Sequence, residues 1–207
     1  YTLYLHDALP IYAGASGAIA MGSGAHAGAT GYVAAGQPIS NIAAAYGATA
    51  IGNDTFANGV SSVAIGGGNN LGNRGVGTAT SASAAQALGA QTIAIGRNAY
   101  VAATSSNGVA IGTGTQAASG ALALGGFSGA TQNSTAATLG AQALGQDSIA
   151  LGGQSIASQI GSVALGIRSK TSTNAVTVTS ATVGNITYDG FTGAVSSAGS
   201  QISVGDT

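Results

Sequence analysis

The chain has 207 residues, of which 45% are hydrophobic and only 4% are charged, and its formal net charge is −1. Four Lys and Arg residues cannot form the basic patch that nucleic acid or an anionic membrane surface requires, so we expect neither as a partner. Cysteine is absent, which excludes a disulfide framework and a thiolate metal site. Glutamate is absent as well.

Residues 1–11 read YTLYLHDALPI and share nothing with the sequence that follows. They are not typical of a signal peptide, because His6 and Asp7 interrupt the apolar stretch that such a peptide needs. The string resembles the translation of a common sequencing adapter, and we expect it to be a non-native segment. No apolar run approaches the length of a membrane-spanning helix, so we expect no direct membrane contact.

One short phrase recurs along the chain: a small residue, an aliphatic residue, Ala, a second aliphatic residue and Gly. Its central Ala and closing Gly residues are Ala20 and Gly22, Ala50 and Gly52, Ala64 and Gly66, Ala94 and Gly96, Ala110 and Gly112, Ala123 and Gly125, Ala150 and Gly152, and Ala164 and Gly166. We expect weaker copies at 33–36 and 137–140, and a degenerate copy around 79–88. The period is about fourteen residues, which indicates a repeat architecture.

The alternation in the phrase predicts a short β-strand, as in 63–65, and the closing Gly predicts a turn with positive φ. Ala-rich stretches such as 99–102 predict a second strand in each repeat. Two strands and two turns make one coil of a β-solenoid, whose backbone pairs with the next coil. We therefore predict an all-β fold, a parallel β-roll or β-solenoid over residues 12–170.

Successive side chains of a strand point to opposite faces, so the aliphatic residues and the central Ala face opposite sides. We expect the aliphatic ladder, which includes Ile65, Ile95 and Ile111, to fill the core between two sheets. The Ala ladder is then left for close packing against another chain. The pattern predicts oligomerisation through this Ala face, and Ala64→Glu is expected to disrupt assembly.

The phrases at 62–66 and 162–166, repeated at this period, resemble the YadA-like head repeat of trimeric autotransporter adhesins. The resemblance extends over about residues 16 to 170. It implies a left-handed β-roll in a homotrimer, and a non-catalytic module on the bacterial cell surface. Residues 188–193 and 202–205 are similar to the segment that precedes the neck of these adhesins, so we assign 171–207 to a pre-neck β segment. Anchoring in the Gram-negative outer membrane is implied through a C-terminal neck, stalk and barrel that are missing here.

The residues that could support catalysis are few, since His26 is the one histidine beyond residue 11. We expect Asp54 to lie about two coils from His26, and Asp147, Asp189 and Asp206 to lie farther away. A Ser–His–acid triad therefore cannot form, and His26 is expected to be a solvated loop residue. We predict no catalytic residue, no cofactor and no metal site.

Two other groups of residues invite functional interpretation. The glycine-rich run at 66–70 lacks the Lys of a phosphate-binding loop, so a turn or loop insertion is the better interpretation. Arg97, Arg168 and Lys170 follow repeats and are expected to lie in solvated turns. No ligand-binding residue can be assigned from the sequence.

Three functions compete. The first is an adhesin head that attaches to extracellular matrix, host cells or other bacteria, with three copies strengthening weak contacts through avidity. The second is a structural spacer without its own ligand, which shares the same repeat. The third is an ice-binding solenoid, but the Thr ladder that it needs is broken, since Thr49, Thr92 and Thr138 are not matched in the other copies.

Overall fold

The computed structural model describes residues 12–22, 24–28, 46–68, 84–126, 140–171, 180–190 and 201–205. All regular secondary structure within these ranges is β, in twenty short strands. Eighteen of the strands form two nine-stranded sheets, and the remaining two form a hairpin. The expected all-β fold is confirmed.

The strands of the recurring phrase form one sheet, which we call the repeat sheet. In spatial order it consists of β2 (Ile19–Met21), β4 (Thr49–Ile51), β6 (Val63–Ile65), β8 (Ile93–Ile95), β10 (Val109–Ile111), β12 (Leu122–Leu124), β14 (Ile149–Leu151), β16 (Val163–Leu165) and β20 (Ile202–Val204).

The shorter strands form the second sheet, which we call the partner sheet. It consists of β1 (Tyr12–Ala13), β3 (His26–Ala27), β5 (Phe56–Ala57), β7 (Gln86–Ala87), β9 (Tyr100–Val101), β11 (Gln116–Ala117), β13 (Gln142–Ala143), β15 (Ile156–Ala157) and β17 (Lys170–Thr171). The chain alternates between the two sheets, and all neighbouring strands within each sheet are parallel. This is the stacked-coil architecture of a β-roll.

The phrase stays in register from coil to coil. Ala64 of β6 pairs with Ala50 on one side and with Ala94 on the other. Because equal positions of the repeat are neighbours, each position forms a ladder along the roll, with adjacent strands about 4.8 Å apart.

The expected weak copies of the phrase do not add strands to the repeat sheet. Strand β2 pairs directly with β4, β6 with β8 and β12 with β14. The degenerate copy around 79–88 was therefore wrong as a separate coil, because β6 pairs directly with β8 and Gln86–Ala87 belongs to the partner sheet. The copies at 33–36 and 137–139 lie outside the described residues. Each long spacing corresponds to one coil whose connection carries an insertion.

The positions of the core and the outer face are the reverse of the expectation. The central Ala side chains of the phrase, from Ala50 to Ala164, are completely buried, with Ala20 half-buried at the end of the roll. The inward positions of the partner sheet are also small, as in Ala57 and Ala87. Two short strands joined by tight turns leave a narrow interior, and Ala ladders from both sheets fill it.

The aliphatic residues of the phrase therefore point outward. Ile65, Ile95 and Ile111 are half-buried, and Met21, Leu151 and Leu165 are exposed. The prediction that this ladder fills the core was wrong, and so was packing of the Ala face against another chain. Ala64→Glu would place a charge inside the roll, so its primary effect is on folding.

The closing glycines form a ladder at one edge of the repeat sheet. Gly96 has φ +119°, and a Cβ built on it would lie 2.8 Å from the carbonyl carbon of Gly112 in the next coil. Positive φ at these turns was expected. The close approach of successive coils is a second reason for glycine.

The tail contributes to the roll and also departs from it. Strand β20 pairs in parallel with β16 and continues the repeat sheet. Between β17 and β20 lies an antiparallel hairpin of β18 (Ser180–Val183) and β19 (Ile186–Asp189).

Candidate functional site

The outward face of the repeat sheet is a long, regular apolar surface. Two aliphatic ladders run along it, one on each side of the buried Ala ladder. Their exposure is lowest in the middle coils and rises at the ends, reaching 73% for both Ile202 and Val204. A single soluble chain rarely leaves so long an apolar face in water, so this face is a candidate for contact with another chain.

The outward face of the partner sheet has a different chemistry. One residue per coil points away from the core, and the ladder contains His26, Phe56, Gln86, Tyr100, Gln116, Gln142, Ile156 and Lys170. Aromatic and amide side chains dominate it, and Phe56 and Gln86 are buried despite facing outward. The two faces of the roll thus differ in polarity, and the repeat-sheet face is the more apolar.

His26 lies in strand β3 and is half-buried, so the expectation of a solvated loop histidine was wrong. Its ring stacks on that of Phe56 with centroids 4.9 Å apart and 9° between the ring planes. Burial lowers the pKa of His26 below its ordinary value of 6.5, while the negative charge of Asp54 acts in the opposite direction. Strands β3 and β5 are neighbours, so Asp54 lies one coil from His26 and not two.

Buried hydroxyl groups stabilise the turns by hydrogen bonds to glycine carbonyl groups, a role that was not predicted from the sequence. Thr55 and Thr115 donate to the carbonyl oxygens of Gly52 and Gly112, at 3.0 and 2.9 Å. On the other side of the coil, Ser148 donates to the Gly145 carbonyl at 2.6 Å. The signal was present as a recurring Ser or Thr three residues after a Gly. The interior therefore contains polar side chains because their hydroxyl groups stabilise the turns.

The charged residues and the glycine-rich run singled out in the sequence lie mainly in the turns at the edges of the sheets. Arg168 is exposed in a turn at φ +60°, and its Nε donates to Oε1 of Gln154 at 3.3 Å. Arg97 follows Gly96 in a turn and is half-buried, whereas exposed Lys170 begins strand β17. Residues 66–68 form an edge connection, in which the N–H of Gly68 donates to the carbonyl of Asn53.

No group of three or more His, Cys, Asp or Glu side chains that could hold a metal ion occurs among the described residues. The same part of the chain contains no helix that is long and apolar enough to span a membrane.

The family comparison agrees with this geometry. The family model described as YadA head domain repeat (2 copies) matches residues 43–69, 76–99 and 143–169. The chain contains a YadA-like head region. The resemblance to the head of a trimeric autotransporter adhesin is therefore confirmed, and such heads belong to a surface adhesin family that is in general non-enzymatic. No curated protein and no solved structure matches the chain significantly.

The matched segments locate the YadA-like repeat on the coils. Residues 43–69 include β4, β5 and β6, and 143–169 include β14, β15 and β16. In both segments the repeat supplies a buried Ala, two outward aliphatic residues and a closing Gly. The recurring phrase thus encodes the core, the apolar outer face and the edge turn of one coil.

Proposed function

We propose that the chain is a non-catalytic adhesin head that forms a homotrimer on the bacterial surface and attaches to host matrix, host cells or other bacteria. The single observation that supports this role most strongly is the outward aliphatic face of the repeat sheet in a chain with YadA head repeats. In the family, such heads are displayed by autotransporters anchored in the outer membrane, and we assign this chain to the same location.

The aliphatic face is the proposed trimer interface. Burying one Val, Ile or Leu side chain contributes about 1.5–3 kcal/mol. The repeat sheet has two outward positions in each of its nine strands, and all of them hold Val, Ile or Leu except Met21 and Thr49. Three copies arranged around an axis would bury these ladders against each other. The partner sheets would then face outward, so their outward ladder, in which Tyr100 and Gln116 are half-buried and Lys170 is exposed, would be the surface available to ligands.

Assembly is tested by the sedimentation mass of the chain after release from a fused trimeric coiled coil. We expect a β-rich trimer, and we expect Ile65→Ser with Ile95→Ser to yield a folded monomer. Gln116→Ser is the matched control, because it changes an outward side chain of the other sheet and should leave the trimer intact. A wild-type chain that is folded and monomeric would contradict the proposed interface.

Attachment is tested with the same two proteins. The trimer and the monomeric variant are compared for binding to immobilised extracellular matrix proteins, epithelial cells and bacteria. Avidity predicts that the trimer binds at least about a hundredfold more tightly than the monomer. A stable trimer that binds none of these surfaces would instead support the structural spacer.

The structure does not favour an ice-binding role. Such a surface needs exposed Thr side chains in one ladder, whereas Thr92 is completely buried and donates to the Gly89 carbonyl at 2.7 Å. Thr49 of β4 is half-buried and stands at a position held by Ile19 and Val63 in the neighbouring strands.

A further inference from the structure

The hairpin β18–β19 replaces an ordinary turn of the roll. In the preceding coil, residues 158–162 connect β15 of the partner sheet to β16 of the repeat sheet. In the last coil, residues 172–201 make the corresponding connection from β17 to β20 and contain the hairpin. We call this side of the roll, where turns run from the partner sheet to the repeat sheet, the hairpin flank. The opposite side, with the closing glycines, is the glycine flank.

The hairpin is amphipathic. Ala181 pairs with Tyr188 and Val183 with Ile186, so these four side chains share one face. Thr182 and Thr187 lie on the other face, with their hydroxyl groups 3.0 Å apart. Val183, Ile186 and Tyr188 are all more than half exposed. An isolated two-stranded hairpin is only marginally stable in water, so this apolar face requires a partner.

The hairpin does not find that partner on its own roll. Strands β18 and β19 contact each other and no other strand of the described chain. Apolar side chains are available on the same flank, since Leu144 and Ile160 are exposed there in the two preceding coils. The described part of the chain leaves both surfaces uncovered, which points to an occupant from another copy.

Threefold symmetry determines what the hairpin would meet. This step rests on the proposed trimer, in which the three repeat sheets face the axis. In such a closed ring the contacts are head to tail, so the hairpin flank of one copy faces the glycine flank of the next. The hairpin emerges at the level of the last coil, and the glycine-flank turn at that level contains Ile167.

Ile167 is unusual for its position. The residue that follows the closing Gly is Asn53, Gly67, Arg97, Thr113, Gly126 and Gly153 in the other described coils. In the last coil it is an Ile whose side chain is 68% exposed. In the last coil, the exposed Ile167 therefore stands where the other coils have polar residues or glycine. The apolar hairpin of the adjacent copy would leave its hairpin flank at the same level. We infer that the hairpin of each copy packs its apolar face on Ile167 of the adjacent copy in the trimer.

Cross-linking tests this contact directly, because the chain has no cysteine of its own. The full chain carrying both Ile167→Cys and Ile186→Cys is treated with a short bismaleimide, and the products are separated under denaturing conditions. We expect covalent dimers and trimers. Arg97→Cys with Ile186→Cys is the matched control, since Arg97 holds the same turn position four coils away, about 19 Å along the roll, and should give no linked species.

A second measurement does not depend on cysteine. Val183→Ser with Ile186→Ser should raise the dissociation constant of the trimer at least tenfold while leaving the far-ultraviolet spectrum of the roll unchanged. Thr182→Ser on the polar face is the control and should leave the dissociation constant unchanged.

The outcomes separate the two proposals. Linking of Ile167→Cys with Ile186→Cys, or of Ile160→Cys with Ile186→Cys, within one chain would show that the hairpin packs on its own roll and would overturn the proposed contact between copies. A trimer that gives no linked species would overturn the hairpin contact and leave the trimer standing. A monomeric mass for the unmodified chain would overturn both.

Discussion

Ala64 of strand β6 lies in register beside Ala94 of strand β8, and both side chains are completely buried. The residues on either side, Val63 and Ile65, point away from the core and are half-exposed. The interior of the roll thus accepts a methyl group at this position, while the larger side chains remain outside. This relationship is repeated from β4 to β16, and it determines how substitutions act.

Enlarging the core should destabilise the roll. Ala64→Leu adds three carbon atoms to a closely packed interior, and we expect a loss of about 1–3 kcal/mol or more in the free energy of unfolding. Ile65→Leu is the matched control, because it preserves volume at the adjacent outward position and should cost less than about 1.5 kcal/mol. Urea unfolding followed by circular dichroism measures both. Equal effects of the two substitutions would contradict the assignment of the Ala ladder to the core.

The closing glycines should be intolerant of any side chain. Gly96→Ala combines φ +119° with a Cβ 2.8 Å from the carbonyl carbon of Gly112, so we expect a loss of several kcal/mol or failure to fold. Gly47→Ala separates the two causes, since Gly47 has φ +68° and its Cβ would meet nothing closer than 3.7 Å. Left-handed backbone alone costs about 1–2 kcal/mol for an L residue. A Gly96→Ala variant as stable as Gly47→Ala would show that adjacent coils separate easily.

Two buried serines at equivalent positions should respond differently to loss of the hydroxyl group. Ser148 Oγ donates to the Gly145 carbonyl at 2.6 Å, so Ser148→Ala should destabilise the roll by about 1 kcal/mol. Ser62 Oγ is buried and has no hydrogen-bond partner among the described residues, so Ser62→Ala should be neutral or slightly stabilising. Thermal unfolding of the two variants provides the comparison. A larger loss for Ser62→Ala would contradict the turn-stabilising role of the hydroxyl ladder.

The stability of the roll should decrease in mild acid because of His26. Burial lowers the pKa of the folded state below the ordinary value of 6.5, so the unfolded chain binds the proton more readily. The contribution of neutral His26 is fully present above pH 6.5 and is lost as the pH falls below 6.5 toward the folded-state pKa. His26→Phe keeps an aromatic ring against Phe56 and should remove this part of the pH dependence.

A variant of Asp54 provides a second test of the effect of His26 on stability. Asp54→Asn removes the charge that raises the pKa of His26, so the folded-state pKa should fall further and the pH dependence below 6.5 should steepen. Unfolding free energies measured between pH 5 and 8 would test both variants. A wild-type profile that is flat over the range below 6.5 would contradict the expected titration.

Local pattern was sufficient for the secondary structure of each coil. The alternation around Ala94 predicts a strand, and Gly96 predicts a turn, because strand alternation and glycine turns depend on residues that are adjacent in the chain. The stretch at 99–102 was likewise predicted as the second strand, and β9 lies within it. The resemblance to YadA head repeats followed from the same phrase, since the number of its copies is a property of the sequence.

The two sides of each strand could be separated from the sequence, but which side forms the core could not. Alternation places Ala64 and Ile65 on opposite faces, and the usual preference of large apolar residues for the interior favoured Ile65. The distance between the sheets decides the question, and that distance depends on how tightly the two turns of a coil close. The order of the coils could not be predicted from the sequence either, because only the hydrogen bonds between strands that are distant in the chain show that β6 pairs directly with β8. The sequence by itself determined the strands, the turns and the repeat, whereas the tertiary structure decided the core, the exposed face and the proximity of His26 to Asp54.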